Sequence, residues 1–181
     1  MSYEQLIRNW HAKASEEDYF VKFMFEYLAF IAYVKNKLYV GDSKHDRPAI
    51  QALKIPNDFR DEYLRTITTD ADLRNAWTKL KEELERVPLM DTSQGGDVEE
   101  IKWWNCSHDN SNQMTLQERT KTKGVIHSLE DWENMVEFWY SVRNNLFHGT
   151  KDPEIKRNKL LVTCGYQTLK KLVSLFIKKM Q

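Results

Sequence analysis

Between Leu129 and Leu146 the apolar side chains return every three or four residues: Leu129, Trp132, Met135, Val136, Trp139, Val142 and Leu146. That spacing follows the α-helical turn and excludes the period-two alternation of a strand, so the stretch must bury one stripe of a helix. The same period recurs in Phe20, Phe23, Met24, Tyr27, Leu28, Phe30, Ile31 and Val34, with apolar residues on the remaining faces as well. A helix so apolar all round is expected at the centre of a fold.

Further helices follow from local punctuation. Ser15-Glu16-Glu17-Asp18 and Ser128-Leu129-Glu130-Asp131 have the spacing of capping boxes. Asp46-Arg47-Pro48 and Pro56-Asn57-Asp58 open short helices, and Thr69 or Asp70 opens one that carries Leu73, Trp77, Leu80, Leu84 and Val87 before Pro88 stops it. Leu6-Ile7-Trp10 gives a weaker amphipathic start. After Asp152-Pro153, a last long helix runs from Ile155 through Leu169 to Ile177. With only six Gly and four Pro, and no sustained strand alternation, the expected class is all-α in one domain over residues 1–181. Residues 88 to about 127 have no period and are expected to form a long irregular connection.

Charge and composition narrow the function. The net charge of +0 conceals an excess of +6 in residues 151–181, where eight Lys and Arg face only Asp152 and Glu154. A uniformly basic coat is excluded; a basic stripe beside one helix is not. Lys170-Lys171 and Lys178-Lys179 read as a solvated face. Two distant cysteines, Cys106 and Cys164, make no disulfide framework. The first residues lack the basic start and apolar run of a signal peptide, and Lys22, Glu26, Lys35 and Lys37 interrupt the most apolar stretch. A cytoplasmic protein with no membrane partner is expected.

The chemistry-bearing residues cluster at the end of the 129–148 helix. Asn144 and His148 project about 40° apart, with Arg143 on the flank. Glu137, Tyr140 and Ser141 extend this second face, and with Asn145 they are the candidate substrate-binding or dimer-contact residues. Imidazole titrates near neutrality and can exchange a proton with a ribose 2′-hydroxyl or a leaving oxygen. Guanidinium forks onto phosphate oxygens where negative charge grows. On spacing alone the pair suits a structural role better, a His capping a helix C-terminus and an Arg in a surface ion pair.

The run Trp139-Tyr140-Ser141-Val142-Arg143-Asn144-Asn145-Leu146-Phe147-His148-Gly149 resembles the signature of the HEPN superfamily, an Arg followed four to six residues later by His. Its Arg-Asn-Asn-Leu-Phe-His-Gly form, entered from Val125-Ile126, is similar to a prokaryotic toxin and abortive-infection branch. The sequence departs from that pattern in the first helix, where Ile31-Ala32 stands in place of an expected Asn. The resemblance implies an up-and-down helical bundle that pairs into a homodimer, its Arg and His motifs lining one composite cleft. It further implies a metal-independent endoribonuclease that leaves a 2′,3′-cyclic phosphate, with Arg143, His148 and Asn144 as catalytic residues. RNA would be the substrate, a cognate antitoxin a possible partner, and no cofactor or metal would be needed. The alternative within the family is a non-catalytic module that binds a protein or nucleic acid.

Weaker signals sit elsewhere. Cys106, His108, Asp109 and His127 are too few and too scattered for a closed zinc site. Trp103 and Trp104, near Arg119, Lys121 and Lys123, pair aromatic with basic residues in the long connection. His11 and His45 read as surface or capping residues.

Overall fold

A computed structural model describes residues 3–13, 18–39, 41, 45–91, 99–100, 124–147 and 155–180. Seven α-helices make up most of these residues, so the fold is all-α. They are α1 (Tyr3–Lys13), α2 (Tyr19–Tyr33), α3 (Arg47–Lys54), α4 (Asp58–Thr69), α5 (Ala71–Arg86), α6 (Trp132–Phe147) and α7 (Lys156–Lys179). Two short strands, β1 (Met90–Asp91) and β2 (Glu99–Glu100), form one antiparallel ladder.

The helix starts obey capping chemistry. Asp18 accepts from the backbone N–H groups of Phe20 and Val21, Asn57 from Arg60, and Asp70 from Leu73. At the second expected capping box, Ser128 Oγ accepts from Glu130 in a turn, and α6 begins only at Trp132. There Asp131 Oδ2 accepts from both His127 N–H and Asn134 Nδ2, a clamp that aims the incoming chain. Ser15 lies outside the described residues. Beyond Tyr33, α2 widens into one π-helical turn, Val34–Leu38, closed by a Tyr39 N–H to Val34 carbonyl bond of 2.8 Å. Asn36 Nδ2 donates to the Ala32 carbonyl, the acceptor its own N–H would use in an α-helix, which favours the wider turn.

Contacts fix the helix directions. His11 meets Glu26 and Glu4 meets Lys37, so α1 runs antiparallel to α2. Phe30 packs on Trp139 while Tyr27 lies under Arg143, which sets α6 antiparallel to α2. α4 and α5 follow each other with a break at Asp70. Both run antiparallel along α7, where Asp58 meets Lys179, Asp70 meets Lys171 and Glu83 meets Arg157. The alternation expected of an up-and-down bundle breaks at two places. Arg47 lies on Tyr140 and Leu53 meets Trp132, so α3 runs antiparallel to α6 and hence the same way as α2. Tyr63 packs on Trp132 and Trp77 on Phe138, so α6 runs the same way as α4 and α5. The chain must therefore travel back along the bundle between Val87 and Trp132, and it buries Ile126 on the way.

The core explains the many aromatic residues. Trp77, Trp132 and Trp139 are fully buried around Tyr63, with ring centroids 5.5 to 6.2 Å apart. Their polar atoms form a connected set. Trp77 Nε1 donates to Tyr63 Oη, Tyr63 Oη to the Thr168 carbonyl, and Trp139 Nε1 to Thr168 Oγ1. Trp132 Nε1 donates to the Leu53 carbonyl. Rings of this size are buried without orphaned N–H groups, as stability requires. Gly165 lets α7 approach closely, since a Cβ there would sit 3.2 Å from the Phe23 ring. By length and composition α7 is also the one helix among the described residues apolar enough to cross a membrane, and just over half of that window is buried inside the bundle. The core helix of a water-soluble bundle has the same profile.

Candidate functional site

Arg143 projects from the last turns of α6 into an aromatic cradle. Its guanidinium carbon lies 4.2 Å from the Phe147 ring centroid and 5.6 Å from that of Tyr27. Nη1 donates to Asn144 Oδ1 at 2.9 Å, and Nη2 stands 3.7 Å from Asp46 Oδ2. The Asp46 contact is electrostatic, being too long for a hydrogen bond. Rings that flank the guanidinium hold its plane by cation–π attraction, while 29% of the side chain stays exposed. Two polar atoms in this cluster, Arg143 Nε and Tyr27 Oη, are buried without a hydrogen-bond partner. Burial lifts the Tyr27 phenol well above its ordinary pKa, and the nearby Asp46 charge adds to this. Tyr27 is thus a neutral O–H donor at physiological pH.

Asn144 therefore touches Arg143 directly. His148 follows α6 immediately in sequence and lies outside the described residues, as does Gly149. Tyr140 is half-buried and lies beneath the Arg47 guanidinium, 5.3 Å from its ring centroid. Ser141 is also half-buried.

Two residues expected on an open face are not there. Glu137 is 2% exposed, accepting from Arg47 Nη1 at 2.7 Å and from Lys54 Nζ. Asn145 is buried and donates to the Met90 carbonyl at 2.9 Å, which ties the start of the long connection to α6. The reason is the same in both cases. α3 and the segment after α5 cover this side of α6, and buried polar groups must find partners. Lys54 is buried with Glu137; burial lowers its pKa, and the Glu137 charge opposes the shift.

Three residues of this neighbourhood escaped sequence reasoning. Asp46 occupies the N-cap position of α3, yet its side chain caps nothing; it faces Lys35 at 3.3 Å and Arg143. Tyr27 and Arg47 carried no local signal, because their relation to α6 spans some hundred residues of chain. Among the other histidines, His11 Nδ1 lies 2.7 Å from the fully buried Glu26. Burial raises the Glu26 pKa, and His11 opposes the rise. His127 Nε2 is buried without a partner. Cys106, His108, Asp109, Trp103, Trp104, Arg119, Lys121 and Lys123 lie outside the described residues. Among the described residues no cluster of three or more His, Cys, Asp or Glu has metal-binding geometry.

No family model matches this chain, and neither a curated protein nor a solved structure does.

Proposed function

We propose that the protein is a metal-independent endoribonuclease of HEPN type, with Arg143 stabilising charge on the scissile phosphate and His148 exchanging the proton. The observation that carries this reading is the Arg143 guanidinium. It lies against two rings, meets Asn144, is partly open to solvent, and stands five residues before His148 in the Arg-Asn-Asn-Leu-Phe-His-Gly run. A planar fork in such a setting suits the equatorial oxygens of a cleaving phosphodiester. A homodimer fits the adjacent surface. Phe147 is 58% exposed and, with Leu146, Phe20, Val21 and Met24, forms an apolar groove beside Arg143. A second copy on this groove would bring two Arg143 side chains towards one cleft. The proposed biological role is that of a toxin or phage-defence effector, restrained by a cognate antitoxin.

A second reading, a non-catalytic HEPN module, draws on the Asp46 carboxylate facing Arg143 and on the internal partners of Glu137 and Asn145. One experiment separates the two. Wild type, Arg143→Ala and His148→Ala are incubated with total RNA in EDTA, and product ends are mapped. Cleavage to 2′,3′-cyclic phosphate ends, lost in both variants, supports the enzyme. RNA left intact by a folded, dimeric wild type supports the module.

A further inference from the structure

The lysines of α7 are not one uniform solvated face. Lys171 pairs with Asp70 at 2.7 Å, Lys178 with Glu62 at 3.8 Å and Lys179 with Asp58 at 3.5 Å. Lys170 has no such partner among the described residues, and neither do Lys22 on α2 and Lys79 on α5. The Lys22 and Lys170 ammonium groups converge instead on one ring, 5.9 and 5.5 Å from the Tyr166 centroid. The acid that answers Lys170 electrostatically is Glu26, which is fully buried and already faces His11.

Lys79, Lys170 and Lys171 line a groove between α5 and α7. Asn75 and Lys79, about one turn apart on α5, line it with Tyr166, Gln167, Lys170 and Lys171 of α7. Asp72 is the one acid in the groove wall. Antiparallel helices packed about 8–10 Å apart thus present two facing rows of donors. Lys79 and Lys170 both line the groove and neither holds an ion pair among the described residues, so an anion laid along it meets uncommitted ammonium groups. The amides of Asn75 and Gln167 offer neutral donors and acceptors for ribose hydroxyls. Next to Tyr166, Tyr19 is 37% exposed, packs edge-on against that ring and carries the Lys22 ammonium 5.0 Å from its own centroid, which sets an aromatic surface and a cation together for a base and its phosphate.

The groove stands apart from the Arg143 site but near it. Phe20 and Met24 of α2 face Leu146 and Phe147, whereas Tyr19 and Lys22 of the same turns face Tyr166. One helix, about 10 Å across, separates the two. We infer that the α5–α7 groove, extended by Lys22 and Tyr19, binds the backbone of single-stranded RNA and anchors a substrate whose scissile phosphate lies at Arg143. The location of the cut rests on the proposed function; the binding of RNA by the groove does not.

The test uses fluorescence anisotropy with a short fluorescein-labelled single-stranded RNA over a range of salt. The triple variant Lys22→Gln, Lys79→Gln, Lys170→Gln is compared with wild type and with Lys178→Gln, Lys179→Gln. Lys171 is left alone because it holds Asp70, the cap of α5. The expected result is a loss of about tenfold or more in affinity, and a salt slope about 2 smaller, as removal of three phosphate contacts on a single strand implies. The control pair stays close to wild type, and melting temperatures stay level. Cleavage of a dinucleotide, too short to reach the groove, is unchanged. Unchanged RNA affinity in the triple variant overturns the inference, as does an equal loss in the control pair or a wild type that binds polyglutamate as tightly as RNA. If the triple variant loses RNA while wild type cuts nothing, the groove stands and the catalytic reading falls.

Discussion

Replacing Glu137 with Leu tests whether this residue belongs to the substrate face or to the fold. In the structure its carboxylate, 2% exposed, is shared by Lys54 and Arg47. Arg47 is 38% exposed and can turn to water, but Lys54 is 9% exposed and cannot. The variant therefore strands a buried ammonium, a loss of about 3–5 kcal/mol when one partner of a buried pair is removed. Burial already lowers the Lys54 pKa, so the ammonium can shed its proton, and the lower end of that range is expected. For a chain of this size, about 3 kcal/mol lowers the melting temperature by roughly 6–12 °C. The double variant Glu137→Leu, Lys54→Met should recover most of the loss, because an apolar pair can replace a buried ion pair at little cost. Circular dichroism melts and urea titrations of the four proteins complete the cycle. A Glu137→Leu protein that melts like wild type but no longer handles RNA would refute the reasoning and return Glu137 to the substrate face.

Four further outcomes are expected. Asp46→Asn should shift stability by no more than about 0.5 kcal/mol, the range of surface changes, since its side chain caps nothing, while RNA cleavage changes because the charge facing Arg143 is gone. Asp70→Ala should lose about 1 kcal/mol in urea melts through the cap of α5. Glu26 binds its proton more tightly folded than unfolded, so its contribution to stability declines as pH rises from the ordinary carboxylate value of 4.5 into the raised range; Glu26→Gln should flatten that part of the urea-midpoint profile. Gly124→Ala should cost about 1–2 kcal/mol or more, because φ is +59° and the added Cβ would sit 2.2 Å from the Leu89 carbonyl oxygen.

The helical class was legible because its signals are local. Asn57, Asp70 and Pro88 mark boundaries within a residue or two of their own positions, and the stripe from Trp132 to Val142 needs nothing but its period. The partnerships of the site were not legible. Angular projection puts Glu137 on the polar face of α6, and only the placement of α3, some 83 to 90 residues earlier, turns that face inward. Asp46 reads as a cap because Asp before Arg-Pro usually is one; a tertiary contact to Arg143 takes its carboxylate instead. The direction of α6 beside α5 was equally hidden, since it depends on how the residues between them return.

The Leu89 N–H donates to the Gly124 carbonyl at 2.9 Å, so the two positions on either side of the long connection are held one hydrogen bond apart. Thirty-four residues, 90–123, lie between those two points. With both ends already side by side, the entropy of closing the connection depends only logarithmically on its length; cutting it eightfold would recover roughly 2 kcal/mol. Insertions and deletions there leave the ends of α5 and α6 where they are. Changes in the length of the connection thus cost the fold little, provided the Leu89–Gly124 pairing and the Met90–Asn145 bond are kept.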